Sequence, residues 1–427
     1  MSTCAPIGAA AAAPWLPAVP AAPERLPKHL TSRYPTFSDP ATAKTTIPRA
    51  SPRPPPWVTI APRKELQMAG ESTPHAGGNR GGWHSGRFAH TFAAIDLGTN
   101  NCRLLVARAS VDGYEVIDAY SRPVRLGEGV ALNGSLCGEA IERTLHALGV
   151  CASKIERHRV SRARHIATEA CRRACNGGDF LAMVKQRTGL CFEVIPPSEE
   201  ARLALASCEN LLDPDIPYGL LIDIGGGSTE VSWIRVSHRA ERLGGVATEL
   251  LDMTSVPWGV VTLTESCVSG QPREQPVTRA CYDDMVERIR ADLRPFCAKH
   301  GIGGAIARGE VQMVGASGTV TTVSAHHLGL KRYNRTLVDG SRIGRDSILR
   351  ICDQLSEKSV VELTDMPCIG NERADLALAG GAILEAVCRQ WQAPMVRVAD
   401  RGLREGVLMD LMRQADREAD PFFCRDE

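Results

Sequence analysis

A chain of 427 residues with 43% apolar side chains has material for two or three domains and a real core. Its formal net charge of +1 gives no bulk electrostatic pull toward nucleic acid or an anionic membrane, and no apolar run is long enough to span a bilayer. The fifteen cysteines are odd in number and free of Cys-x-x-Cys spacing; Cys171 and Cys175 stand one helical turn apart with no second pair. That usage points away from a zinc module and toward buried, reduced thiols in a cytoplasmic protein.

Residues 1–90 hold more than half of the prolines and include "SPRPPPW" and "HAGGNRGGWHSG". Such a segment cannot bury enough apolar surface to offset its ordering entropy, so a disordered extension is expected. It opens without a basic start and prolines interrupt its apolar part, so no targeting signal is expected. Order is expected to begin at "FAAIDLGTNNCRLLVARAS": an apolar strand from Phe92 to Ile95, a turn over 98–101, and a second strand from Leu104 to Ala107. The periodicity predicts a helix over 139–157, and "RHIATEACRRA" reads as a strand running into a helix. "CFEVIPPSEEARLALASCENLL" gives a strand, a Pro-Pro break and a helix capped by Ser198. The strand–glycine turn–strand plan returns in "YGLLIDIGGGSTEVSWIRV", and "VQMVGASGTVTTVSAHHL" adds a further strand and glycine turn. The end of the chain reads helix, strand, helix. Strands interleaved with helices throughout predict an α/β protein.

The two copies "IDLGTN" and "IDIGGGST" each place an aspartate, Asp96 or Asp223, at the end of an apolar strand before a glycine turn. Backbone N–H groups in such turns can collect around phosphate oxygens. Candidate phosphate-binding residues are therefore Gly98, Thr99 and Asn100, then Gly225, Gly226, Gly227, Ser228 and Thr229, and in the third turn Gly315, Ser317, Gly318 and Thr319. An aspartate would repel phosphate unless a divalent cation lay between them, so Asp96, Asp223 and Glu230 are candidates for holding Mg²⁺ (or Mn²⁺). The basic stretch 154–165 is a candidate guide for a polyanion, although most such runs are solvated faces. His326 and His327 are expected to pack rather than ligate.

The paired turns resemble those of actin, sugar kinases and heat-shock chaperone ATPases. Within that superfamily, "AAIDLGTNNCRLLVA", "ATEACR", "EEARLA", "LLIDIGGGSTEVS", "GASGT" and "LREGVL" together are similar to the exopolyphosphatase / guanosine pentaphosphate phosphohydrolase (Ppx/GppA) family, from about residue 92 to 412. The resemblance implies two actin-like (ribonuclease H-like) domains with a cleft between them: 91–216, completed by a C-terminal helix over 402–415, and 217–400. It implies release of terminal orthophosphate from polyphosphate or guanosine pentaphosphate, with no nucleic-acid or membrane partner and a homodimer as one allowed state. The family's catalytic glutamate falls on Glu200, its cleft arginine on Arg172, and its metal-associated acids on Asp96, Asp223 and Glu230.

Three departures stand out. "PPS" precedes "EEAR" where a glycine is common, Asn100-Asn101 replaces a Ser-Asn-Ser type turn, and the all-helical C-terminal domain of long members is expected to be lacking. Two other readings stay open on the sequence. One is a sugar or acetate kinase of the same superfamily, which gives no reason for Glu199-Glu200. The other is a non-catalytic module that binds polyphosphate or alarmone nucleotides.

Overall fold

Two β-hairpins organise the molecule. The computed structural model describes residues 86–111, 113–239, 245–268 and 270–419, which belong to one compact unit. Strand β1 (Thr91–Leu97) pairs antiparallel with β2 (Asn101–Ser110), which pairs with β3 (Gly113–Pro123); β4 (Arg162–Ala167) and β5 (Glu193–Val194) extend the sheet in parallel on the other side. The second sheet repeats this with β6 (Tyr218–Ile224), β7 (Thr229–His238), β8 (Val246–Val256) and β9 (Val311–Ala316). It continues through β10 (Arg342–Gly344) and β11 (Met395–Ala399), β11 lying next to β9 and β10 at the edge. The orders β3-β2-β1-β4-β5 and β8-β7-β6-β9-β11 are one topology used twice. This is the two-domain actin-like architecture that the sequence resemblance implies.

The duplication holds at residue level. Asp96 sits opposite Arg103 across the first hairpin, and Asp223 opposite Glu230 across the second. Each turn is closed by the same bond, Gly98 N–H to Asn101 O and Gly225 N–H to Ser228 O, both 2.9 Å.

Central strands buried on both faces read as continuous apolar runs. In β1, Ala93 and Ile95 face a core under the helix Gly138–Arg157, whereas Phe92 and Ala94 face a core shared with Leu221 and Val314 of the second sheet. Two helices fill that shared core, Pro197–Cys208 and Leu403–Ala419, the latter also lying across β1, β2 and β4. They cross so closely that a Cβ at Gly406 would lie 2.1 Å from Leu203 O.

Three expectations change. Residues 86–90, expected to be disordered, include a short 3₁₀ turn, Gly86–Ala89, anchored by Arg87 on Asp416; the rest of the expected extension, up to residue 85, lies outside the described residues. Ser198 does not cap its helix: Pro196 is the capping residue, with Pro197 at the first helical position, where its missing N–H costs nothing. The basic stretch 154–165 is largely paired, Lys154 and His158 with Asp118, and Arg164 with Glu193 and Glu199. Arg162 sits opposite Phe92, at the end of the sheet away from the glycine turns. No helix among the described residues is long and apolar enough to cross a membrane.

Candidate active site

Strand ends from both sheets open into one cleft. Asp96 and Asp223 come from the ends of β1 and β6, Glu230 from β7, and Glu200 from the first turn of Pro197–Cys208. The Pro-Pro-Ser approach therefore does deliver Glu200 to the cleft wall. The turn residues Gly98, Thr99, Asn100, Gly225, Gly226, Gly227 and Ser228 line the same space, with Ser317, Gly318 and Thr319.

The backbone polarity of the turns is one-sided. The carbonyls point into protein: Asn100 O accepts from Val124 and Arg125 N–H, Thr99 O from Gly127 N–H, Gly225 O from Val260 N–H and Gly226 O from Val261 N–H. The N–H groups of Thr99, Asn100, Gly226, Gly227 and Ser228 have no backbone acceptor among the described residues. Carbonyls turned away and amides left free make an anion cradle. Glycine is needed here for a second reason, because the two turns touch. A Cβ at Gly226 would meet Asn100 N and Thr99 Cβ at 3.0 Å, and one at Gly227 would meet Thr99 Oγ1 at 2.7 Å. Ser317 starts the helix Gly318–His327 at φ 125°, a conformation that L side chains rarely adopt, and it stands at the cleft.

Several expected residues lie elsewhere. Thr229 is fully buried, its hydroxyl donating to Trp258 O at 2.6 Å, because strand alternation turns it away from the face that Glu230 presents. The side-chain position of Gly315 faces Val320 and Val396 in the core, so this glycine serves packing. Arg172 does not line the cleft. It lies one turn into a helix (Glu169–Arg173), curled back so that its guanidinium holds Glu200 Oε2 and Glu169 Oε2 at 2.8 Å and donates to Ile195 O. His326 and His327 end their helix, His327 exposed, and Cys171 is buried while Cys175 is exposed.

The cleft's own arginines were not anticipated. Arg103, Arg373 and Arg401 line it, and Arg401 is held by Asp339. Arg103 and Arg373 have no carboxylate partner within ion-pair distance among the described residues, and burial together with Arg103 pushes the Arg373 guanidinium below its ordinary value. Arg103 could have been found from the hairpin register, since it occupies the place that Glu230 holds in the second copy. No comparable sequence signal marks Arg373.

The acids carry the opposite strain. Burial first, then Glu230 and Asp223, push Glu200 up to about 8 against the pull of Arg172. Burial, Glu230 and Asp96 push Asp223 up to about 7, while burial raises both Asp96 and Glu230. Glu230 Oε1 accepts from Ser228 and Ser255 hydroxyls at 2.7 Å, and Asp96 Oδ1 is buried with no partner. Neighbouring Glu199 behaves differently: half-buried, it is held by Arg202 and Arg164 below the usual carboxylate range.

These acids fit a hard cation. Among the described residues no three His, Cys, Asp or Glu side chains stand close enough to ligate one ion together. Mg²⁺ typically takes one or two carboxylates and completes its shell with water and phosphate oxygens. The unpartnered Asp96 oxygen suits that donor set.

Comparisons with known proteins agree with the architecture. The Ppx/GppA phosphatase family profile matches residues 105–415. Exopolyphosphatase 2 of Mycobacterium tuberculosis is 29% identical over 332 residues, covering 75% of this chain and 98% of that protein. The PPX-GPPA enzyme of Aquifex aeolicus superposes with a TM-score of 0.59 at 29% identity, over 75% of this chain and 99% of that one. An exopolyphosphatase from Cytophaga hutchinsonii, 22% identical, shares the fold with a TM-score of 0.64 over 76% of this chain and 98% of its own. Two actin-like halves, an acid-lined cleft between their glycine turns and a profile match across most of the chain lead to one assignment: this protein belongs to the Ppx/GppA phosphatase family.

Proposed function

We propose that the cleft hydrolyses the terminal phosphoanhydride of inorganic polyphosphate or guanosine pentaphosphate, releasing orthophosphate. The observation that carries this reading is the meeting of free turn amides with the buried Glu200 carboxyl, whose pKa burial lifts toward the neutral range, in one cleft.

The amides of Thr99, Asn100 and Gly226 to Ser228 bind the phosphoryl oxygens, and Arg103 and Arg373 neutralise the neighbouring phosphate. Arg103 and Arg373 repel one another electrostatically, so an anion bound near both is favoured. Arg172 fixes the Glu200 carboxyl, which orients a water for in-line attack and takes its proton. The bond from the terminal phosphorus to the bridging oxygen breaks, and the shortened chain leaves with that oxygen. Mg²⁺ or Mn²⁺ held by Asp96 and Asp223, with Glu230 beside them, would neutralise charge on the anhydride oxygens. A base works best with its pKa near the working pH, which suits Glu200.

Replacing Glu200 by Gln keeps the shape and removes the base. Phosphate release is expected to fall by about 10²–10⁴-fold with substrate binding retained. Orthophosphate assays on polyphosphate and guanosine pentaphosphate side by side, without any acceptor, check both reaction and substrate; undiminished turnover in E200Q removes Glu200 as the base.

A further inference from the structure

A second basic element is anchored close to the cleft. The chain has no acidic residue between Glu310 and Asp339. Within this span, loop 328–334 follows the helix Gly318–His327, whose first residues line the cleft. The loop is pinned twice beside cleft-lining residues. The Cys368 thiol donates to Leu330 O at 3.3 Å, next to Ile369, and the Tyr333 hydroxyl donates to Asp400 Oδ2 at 2.7 Å, next to Arg401. Tyr333 also lies within electrostatic reach of Arg373. Just beyond the loop, Arg335 is tied down, its guanidinium donating to Asp400 O at 2.6 Å and to Glu405 at 3.2 Å.

Between the two pins, Lys331 and Arg332 are exposed and have no ion pair or hydrogen bond among the described residues. Other exposed cations, Arg157 and Arg159 among them, are also unpaired; Lys331 and Arg332 differ in lying on a loop anchored beside cleft-lining residues. Two adjacent free cations, held by hydrogen bonds on either side and with no acid nearby in the chain, raise the local concentration of anions. The inner cleft already has amides and arginines for the last phosphates of a substrate. The loop pair is left over for charge farther along it.

We propose that Lys331 and Arg332 bind the distal phosphates of a long polyphosphate chain, so that loop 328–334 sets chain-length preference. This rests on the hydrolytic reading above. A tripolyphosphate engages the inner cleft alone, whereas a long chain also engages the loop.

The test compares wild type with K331Q/R332Q and with R157Q/R159Q, which removes the same charge from two exposed residues at the far end of the first sheet. Phosphate release is measured on long-chain polyphosphate and on tripolyphosphate. For K331Q/R332Q, KM on the long chain is expected to rise about 3–10-fold, with kcat and the tripolyphosphate KM unchanged. Parallel shifts on both substrates, no shift, or an equal shift in R157Q/R159Q overturn the proposal. Equilibrium binding of long-chain polyphosphate in chelator keeps the two readings apart. Weaker binding by K331Q/R332Q alone supports the loop site even if wild type releases no phosphate, a result that would sink the hydrolytic reading instead. Unchanged binding overturns the loop site whatever the turnover.

Discussion

Arg172 counteracts part of what raises Glu200. Its guanidinium opposes the upward push of burial, Glu230 and Asp223, so removing it lets Glu200 hold its proton to higher pH. In R172Q, the acid limb of kcat/KM is expected to move upward by about one pH unit, and R172K to restore much of the shift. A pH–rate profile checks this; a lower kcat with an unmoved limb would make Arg172 merely structural. Asp96, Asp223 and Glu230 were legible because one hairpin pattern occurs twice, and the register places each pair. Glu200 was legible only through family resemblance, since acids in a first helical turn are explained equally well by the helix dipole, as Glu199 is. The resemblance put Arg172 in the cleft, yet one turn of helix leaves its guanidinium paired with Glu200 and Glu169. Thr229 and Gly315 show the same limit: a glycine-turn motif names a segment, and the pleat decides which of its residues face out.

At the scale of elements, the crossing of Pro197–Cys208 with Leu403–Ala419 supports the cleft wall that carries Glu200. Gly406 has Leu203 O where a Cβ would go, so G406A must push the helices apart and shift the turn that bears Glu200. Leu408, fully buried in the same core, gives a milder probe. L408A is expected to cost about 2–5 kcal/mol in denaturant unfolding through lost burial and an unfilled cavity. G406A is expected to lose more activity per unit of stability than L408A; equal losses would uncouple the crossing from the site. Strands and long helices were legible from periodicity. The helix start at Pro196 was misread because a serine two residues on is an equally good cap by composition, whereas the backbone uses the prolines' fixed φ. The close crossing at Gly406 could not be read at all, since it depends on two segments some two hundred residues apart.

The whole molecule carries a pH liability that a cation should relieve. Folded Glu200 and Asp223 keep protons up to about 8 and about 7, whereas unfolded carboxylates release them near ~4. Across that window the folded state binds more protons, so stability is full below the unfolded pKa and falls as pH rises through the folded values. Carboxylates held low by partners, such as Asp118 and Glu199, act in the opposite sense but at more acidic pH. Tm in chelator is expected to decline from about pH 5 to about pH 8, with a shallower slope in E200Q and recovery on adding Mg²⁺. A flat profile in chelator would contradict the buried-acid account. The contact between the glycine turns has a mechanical consequence. Thr99 and Asn100 rest against Gly226 at the join between the halves, so that junction is a fulcrum. Any spreading of the lobes about this contact moves distant residues like the tips of shears, while the floor around Asp96 and Asp223, next to the contact, travels least.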